Sequence, residues 1–557
     1  MKLLHASLFV SALAGVSGCP TRSKYDQLPV VRITSPRADT YTSGTVTITA
    51  SIDPDLDLPI VLRLDDVGII KTLASPSESY AWNTMGVPEG AHTLVAEVAF
   101  SSGPATSTPV IINVDRTPPT VTLSPTPGST KVILRSPIKA SFSEPVVLSR
   151  PAGETFSLSV LGAAVPTAVT FDAQNQTATI AIADLSSISL PAAFTATIEP
   201  TIADRAGNLL VPPIGTWFWS VPDWITFPPL ESGYRPVLAI GSDLLPVLAW
   251  ALLTNVDGIP NYQLQVAKYD GFGWTQLGPP SSNINSAGNG MDVWLDAGNR
   301  PLVIWRERPV DFQVAAWAGT SWDTSFPPVS AALGADSDAG AAMLRLDGSG
   351  RPTVMWLEQA PSSRNDAILA RWNGQEWDRG FDPIEVPAFI GFLGFDMIAG
   401  ENPIVSWSFP ADTGHVSVWS GTSWTPAPDV PGMTEPFMAL DSAHGPMVVV
   451  SSQPGTLLVQ RLVNGSSWQL LPAANVPPQV RYPRIAAGPD GLPVVAYYDA
   501  QTRAVGMARW TGQRWDTRAV GFGSNAVDET PQLIVDRQGT AWIGWRGSQL
   551  NVWMSNY

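Results

Sequence analysis

Trp372-Asn373-Gly374-Gln375-Glu376-Trp377 is the stretch on which the fold turns: an aromatic residue, a glycine two places on, and a tryptophan three beyond that. The pattern recurs as Tyr269-Gly271-Trp274, Trp317-Gly319-Trp322, Trp419-Gly421-Trp424 and Trp510-Gly512-Trp515. Another copy has Val463 in the aromatic slot, before Gly465 and Trp468. A second anchor precedes each copy, a proline followed four residues later by a large side chain: Pro246/Trp250, Pro301/Trp305, Pro352/Trp356, Pro403/Trp407, Pro446/Val450 and Pro493/Tyr497. A seventh unit has Ala541 in place of proline and reaches Trp545. The mean period is about 49 residues, the length of a propeller blade. Repetition at this spacing means one supersecondary unit stacked on its neighbours, because no single unit buries its own apolar face.

The third unit shows four extended runs. Met343-Leu344-Arg345-Leu346 leads to the turn Asp347-Gly348-Ser349-Gly350, whose glycines permit positive φ. Pro352 opens the second run, where a missing donor costs least. The third run ends at Trp372, Asn373-Gly374 turns the chain, and Trp377 opens the fourth. Short strands with evenly spaced turns predict an all-β array. The seventh unit stops at Tyr557 without its Gly-x-x-Trp strand, while Asp223-Trp224-Ile225-Thr226-Phe227-Pro228-Pro229 resembles the fourth run of unit two. Trp224 is therefore expected to complete the last unit from the N-terminal side, closing residues 223–557 into a seven-bladed β-propeller with no open sheet edge. Neither the WD-repeat nor the kelch signature is present.

Met1-Lys2, an apolar run to Val16 and then Ser17-Gly18-Cys19 describe a secretory signal peptide over residues 1–18. Val16-Ser17-Gly18-Cys19 resembles the bacterial lipobox, which implies a lipid on Cys19 and a membrane as partner through that lipid. By resemblance to Gram-negative lipoproteins, Pro20 after the cysteine favours the outer membrane, facing the periplasm or the cell surface. Cys19 is the one cysteine of the chain, so no internal disulfide forms. Residues 19–29 read as a tether.

Residues 30–115 alternate apolar and polar positions between turn-rich segments, and their length suits a small sandwich. Trp82-Asn83-Thr84, Glu89-Gly90-Ala91-His92-Thr93-Leu94 and the exit Val114-Asp115-Arg116-Thr117-Pro118-Pro119 resemble bacterial immunoglobulin-like domains. Within 116–222, Phe142-Ser143-Glu144-Pro145-Val146 and Asp204-Arg205-Ala206-Gly207-Asn208 resemble the Ig-like domains of surface-layer and other exported bacterial proteins. That resemblance implies spacer or adhesive modules.

The net charge of −16 argues against nucleic acid as a partner. His92, His415 and His444 show no metal-ligand spacing, and no Gly-x-Ser-x-Gly elbow occurs; all three read as ordinary surface or turn residues. Asp53, Asp55 and Asp57 form an acidic loop that is a candidate for Ca²⁺, though it lacks the glycine and distal glutamate of an EF-hand. No other cofactor is indicated. Glu307, Glu358 and Asp499 each stand two residues past the large anchor of their unit, so they should share one rim. Paired carboxylates at such a place serve glycoside hydrolases, and a hydrolase or lyase is the catalytic alternative. Four other units have Leu252, Phe409, Ser452 and Gly547 there, which favours a rim of ligand contacts over catalysis. The repeated tryptophans read as packing wedges between units. Trp294 and Trp542, which do not repeat, are better ligand candidates. Taken together these features predict a lipid-anchored envelope protein that displays a binding propeller on Ig-like spacers, with a protein or glycan as partner. A lectin-like carbohydrate binder is the first alternative.

Overall fold

Alternation in the N-terminal third becomes strands with one inward face. Along Thr45–Asp53, Val46, Ile48, Ala50 and Ile52 are buried and their neighbours are not, as the pleat requires. In the computed structural model this strand pairs antiparallel with Val30–Ser35 and Tyr80–Asn83. A second sheet runs Thr40–Thr42, Val110–Val114, Gly90–Val98, Ile60–Leu64, Gly68–Leu73. Ile48, Trp82, Leu62 and Leu94 join the two sheets in one core. A second pair of sheets follows. Val121–Ser124, Ile138–Phe142, Thr177–Ile182 and Thr167–Phe171 form one; Ala163–Ala164, Phe156–Val160, Ala192–Ile198 and Thr216–Val221 form the other. Phe194 stacks on Trp219 there, with centroids 5.4 Å apart. The helical turn Ala152–Thr155 is the one α-helix among the described residues, and none there is long and apolar enough to cross a membrane.

The structure describes residues 28–65, 68–256, 259–280, 290–307, 312–329, 342–359, 365–386, 392–398, 402–408, 413–431, 437–441, 445–453, 455–520 and 531–556. Cys19, the stretch expected to be a signal peptide, most of the expected tether and His444 lie outside them. The chain divides into two compact units, one reaching to Ser220 without Ile133–Arg135 and one holding Ile133–Arg135 with Val221–Tyr557.

Among the described residues the second unit is a succession of seven antiparallel sheets of four or five strands. They are numbered here in chain order: 234–276, 292–323, 342–386, 392–431, 437–475, 480–520, and 532–555 joined by 224–226. Sheet 3 is ordered Ala342–Leu346, Pro352–Gln359, Asn365–Trp372, Trp377–Asp378, with Ile384–Val386 also on the third strand. In sheet 7 the order is Gln532–Val535, Ala541–Arg546, Leu550–Ser555 and Trp224–Thr226. That last strand arrives from the start of the unit, with Trp224 opposite Ser555 and Thr226 opposite Trp553. First strands of successive sheets touch in order, and the first strand of sheet 1 also touches that of sheet 7.

The tryptophan refrain joins each sheet to the one before. Trp372 and Trp377 pack ring to ring at 5.3 Å within sheet 3. The Trp377 indole N–H then donates to the Pro327 carbonyl at 2.8 Å, across to the exit of sheet 2. The same clasp ties Trp274 to Pro228, Trp322 to Gly278, Trp424 to Asp382, Trp468 to Pro428 and Trp515 to Pro472. Each ring buries apolar area and satisfies its single donor in one contact.

Candidate functional site

The turn between the first two strands of a sheet is built on an aspartate. Asp347 Oδ1 accepts the Ser349 and Arg351 amides, each at 2.9 Å, and its Oδ2 accepts Arg351 Nε at 2.7 Å. Asp296 does the same with Gly298, Arg300 and Arg300 Nε. Burial pushes both carboxyls up, but these amides and arginines outweigh it and hold both below the usual range. In sheet 7, Asp536 clamps its turn likewise and takes its third donor from Trp542 Nε1 at 2.8 Å.

One residue into the first strand from these turns, the same register carries Trp294, Arg345 and Asp396 in sheets 2, 3 and 4, but Ala239, Ala439 and Ala486 in sheets 1, 5 and 6. Arg345 is half-buried between charges. Its Nη1 meets Asp292 at 2.9 Å and its Nε meets Asp396 at 3.4 Å. Asp292 also accepts the Leu344 amide at 3.0 Å, closing the free edge of sheet 3. Burial opposes the Arg345 charge, yet the two carboxylates raise its pKa. Arg484, on the first strand of sheet 6, adds a further charge, its pKa pushed down to about 10 by burial with Asp292 pulling the other way. Arg345 also lies 4.6 Å from the centroid of the Trp294 ring, a cation–π contact that fixes the indole.

Above that indole opens a cavity of about 510 Å³, within the range of ligand pockets. Trp294, Leu346 and Ile240 supply apolar walls; Ser242, Asn299 and Arg537 supply polar ones. Asn299 Oδ1 accepts the Ser242 amide at 2.6 Å and its hydroxyl at 2.9 Å. That leaves the Asn299 amide nitrogen without a partner among the described residues.

Trp294 thus lines an opening, whereas Trp542 does not. Trp542 is 1% exposed, packed with Trp250 and Phe227 and hydrogen-bonded to Asp536. Failing to repeat made it look like a ligand contact; it instead replaces the arginine partner of the turn aspartate. The three rim acids lie at the opposite end of the second strand from the cavity, in sheets 2, 3 and 6. Asp499 is 4% exposed and holds the turn after it, accepting the Gln501 amide and the Thr502 hydroxyl. Glu358 is half-buried; burial raises its pKa, against the pull of Arg379 and a hydrogen bond from the Trp356 indole. Glu307 is also half-buried and follows Pro301–Arg306. Asp292, Arg345, Asp396, Arg484 and Arg537 were missed, although the charges of Arg345 and Asp396 at a register where other units carry alanine are visible in the sequence.

Asp53, Asp55 and Asp57 are not gathered into a ligand set. Leu56 is buried, while all three acids are exposed. Among the described residues the acids brought within 4.8 Å of one another are Asp115, Glu144 and Asp204. These could hold a divalent cation. Asp204 already accepts the Ala206 and Asn208 amides and Asn208 Nδ2. Burial, then Asp115 and Asp204, push the Glu144 carboxyl up. His92 is buried rather than a surface residue, with Nδ1 2.7 Å from Asp65 and Nε2 2.9 Å from the Pro88 carbonyl. His415 stacks on Trp407 and pairs with Asp429 at 2.8 Å.

In the second module the Phe142–Val146 and Asp204–Asn208 segments lie side by side through Val146↔Asp204. Residues 115–221 match the model of a bacterial Ig-like domain. No curated protein matches the chain. Among solved structures, the SapL1 lectin in complex with α-methyl fucoside is similar at 15% identity, over 52% of this chain and 97% of that one, with a TM-score of 0.35. A mutant of the Aleuria aurantia lectin with a fucose-α1,6-N-acetylglucosamine ligand is similar at 16% identity over 53% and 98%, with a TM-score of 0.36. AofleA from Arthrobotrys oligospora stands at 12% identity over 54% and 90%, also at 0.36. Likeness at this level says nothing of this chain's ligand.

Proposed function

We propose that the chain is a lipid-anchored envelope protein in which a seven-bladed β-propeller over residues 223–557 binds a glycan and two Ig-like modules act as spacers. The cavity over Trp294 carries this reading. An indole face suits the apolar face of a sugar ring, while Ser242, the Asn299 amide and the turn backbones suit its hydroxyls. The circular order of first-strand contacts and the pairing of Trp224 with Ser555 support a closed propeller. The apolar N-terminus ending in Ser17-Gly18-Cys19 supports lipidation and export, with the outer membrane as the destination. Binding without turnover is favoured because Asp499 is buried and spent on its own turn.

The test uses the full chain with Cys19→Ser on a glycan array, followed by titration calorimetry of the ligands found. Trp294→Ala should weaken binding at least tenfold with unchanged circular dichroism. Products released from the same glycans, and lost in Glu307→Gln or Glu358→Gln, would replace the reading with a hydrolase. Labelled fatty acid should enter the wild-type chain in cells and not Cys19→Ser.

A further inference from the structure

The charges around the cavity do not cancel. Asp296 is matched by Arg300 at 2.7 Å, and Asp347 by Arg351 at 2.7 Å and Arg371 at 3.6 Å. Asp243, beside Ser242, is matched by Lys268 at 3.1 Å. Asp536 is buried in its own turn, its oxygens taken by two amides and the Trp542 indole. Arg537 is different. It sits next to Asp536 in the corresponding turn of sheet 7, is exposed, lines the cavity, and has no counter-ion among the described residues. The opening therefore carries an exposed guanidinium outside any ion pair among the described residues, with the buried Asp536 carboxylate next to it in the chain, on a protein whose net charge is −16. An anion is repelled by the molecule as a whole and has its partner here. Trp294 and Arg537 both line this cavity, whose volume accommodates a single sugar ring with one substituent.

We infer that the cavity takes an acidic saccharide, its ring against Trp294 and its carboxylate on Arg537. A planar guanidinium meets a carboxylate through two parallel N–H donors, which a neutral hydroxymethyl group does not use. This deepens the glycan-binding reading above and rests on it.

Calorimetry of the full chain (Cys19→Ser) would compare a glucuronate-terminated disaccharide with its glucose-terminated counterpart. The acidic sugar should bind about tenfold tighter in low salt, and the gap should shrink as sodium chloride rises to 0.2 M. Arg537→Gln should remove the gap between the two sugars, and Arg537→Lys should keep part of it. Equal affinity for both sugars in the wild type, or a gap untouched by Arg537→Gln, overturns the inference while the glycan-binding reading stands. If neither sugar binds and the glycan array is blank, both fall together.

Discussion

Asp347 encloses its charge completely: the side chain is 0% exposed while Arg351 and Arg371 hold it and two amides cap it. Removing one partner of such a set leaves cations and amides unpaired, so Asp347→Ala should cost about 3 kcal/mol, read as a lowered midpoint in urea. The pH effect has a definite sign. The folded pKa lies below the unfolded value of 3.8, so this stability is present above that value and is lost as pH falls through the folded one. His92 works in the other direction. Both its ring nitrogens face acceptors, Asp65 and the Pro88 carbonyl, which only the imidazolium can satisfy. Burial opposes the charge, but these two bonds leave the pKa raised above 6.5. Its contribution is thus complete below 6.5 and declines as pH rises through the folded value. Thermal melts of the wild type from pH 5.5 to 8.5 should show that decline, and His92→Gln should flatten it. A slope unchanged by the substitution would place the titration elsewhere.

At the scale of the element, the clasp between sheets separates two roles of one ring. Trp377→Phe keeps most of the apolar contact with Trp372 and loses the bond to the Pro327 carbonyl, so it should cost about 1 kcal/mol. Trp377→Ala loses both and should cost about 3–4 kcal/mol; equal losses would show that the hydrogen bond carries the contact. This much of the fold was legible in the sequence, because a residue repeated at one strand position must do the same work in each unit. Less was legible about the site. Periodicity says which residues are equivalent, yet gives no sign of which end of the strands opens. Glu307 and Glu358 mark the end where the second strand leaves, and the cavity lies at the other, among the aspartate turns. Trp294 and Trp542 look alike as non-repeating tryptophans. They differ only in strand: one follows Val293 on a first strand beside Arg345, the other fills a core between sheets. The register of the first strands adds a local irregularity that composition hides. Arg235 and Tyr482 adopt positive φ at the same bulge in sheets 1 and 6, where sheet 2 has Gly290 at a φ of 74°. All three shift the chain just before the segment that carries Val237, Asp292 and Arg484.

For the molecule, everything about the cavity depends on sheets 7, 1, 2 and 3 staying in place, since its walls come from all four. Sheet 7 is the one made from two distant parts of the chain, and Trp224–Thr226 with Leu550–Ser555 is its seam. Ile225 stands opposite Met554 across that seam. Directly opposed residues in an antiparallel pair have Cα atoms about 4.5–5.5 Å apart, inside the span of a disulfide. Ile225→Cys with Met554→Cys, in a Cys19→Ser background, should oxidise to an internal disulfide, and no other cysteine can compete for it. The loop closed is several hundred residues long, so the chain-entropy gain is about 6 kcal/mol, less whatever the loss of the buried Met554 side chain costs. The expected result is a second unit that melts higher oxidised than reduced, with Arg537 and Trp294 still reporting the same ligand affinity. Comparing the two redox states of one variant cancels the packing loss. Failure of the native double variant to oxidise, with both thiols open to alkylation in the folded protein, would mean that the two strands are not neighbours and that the ring is open at this point.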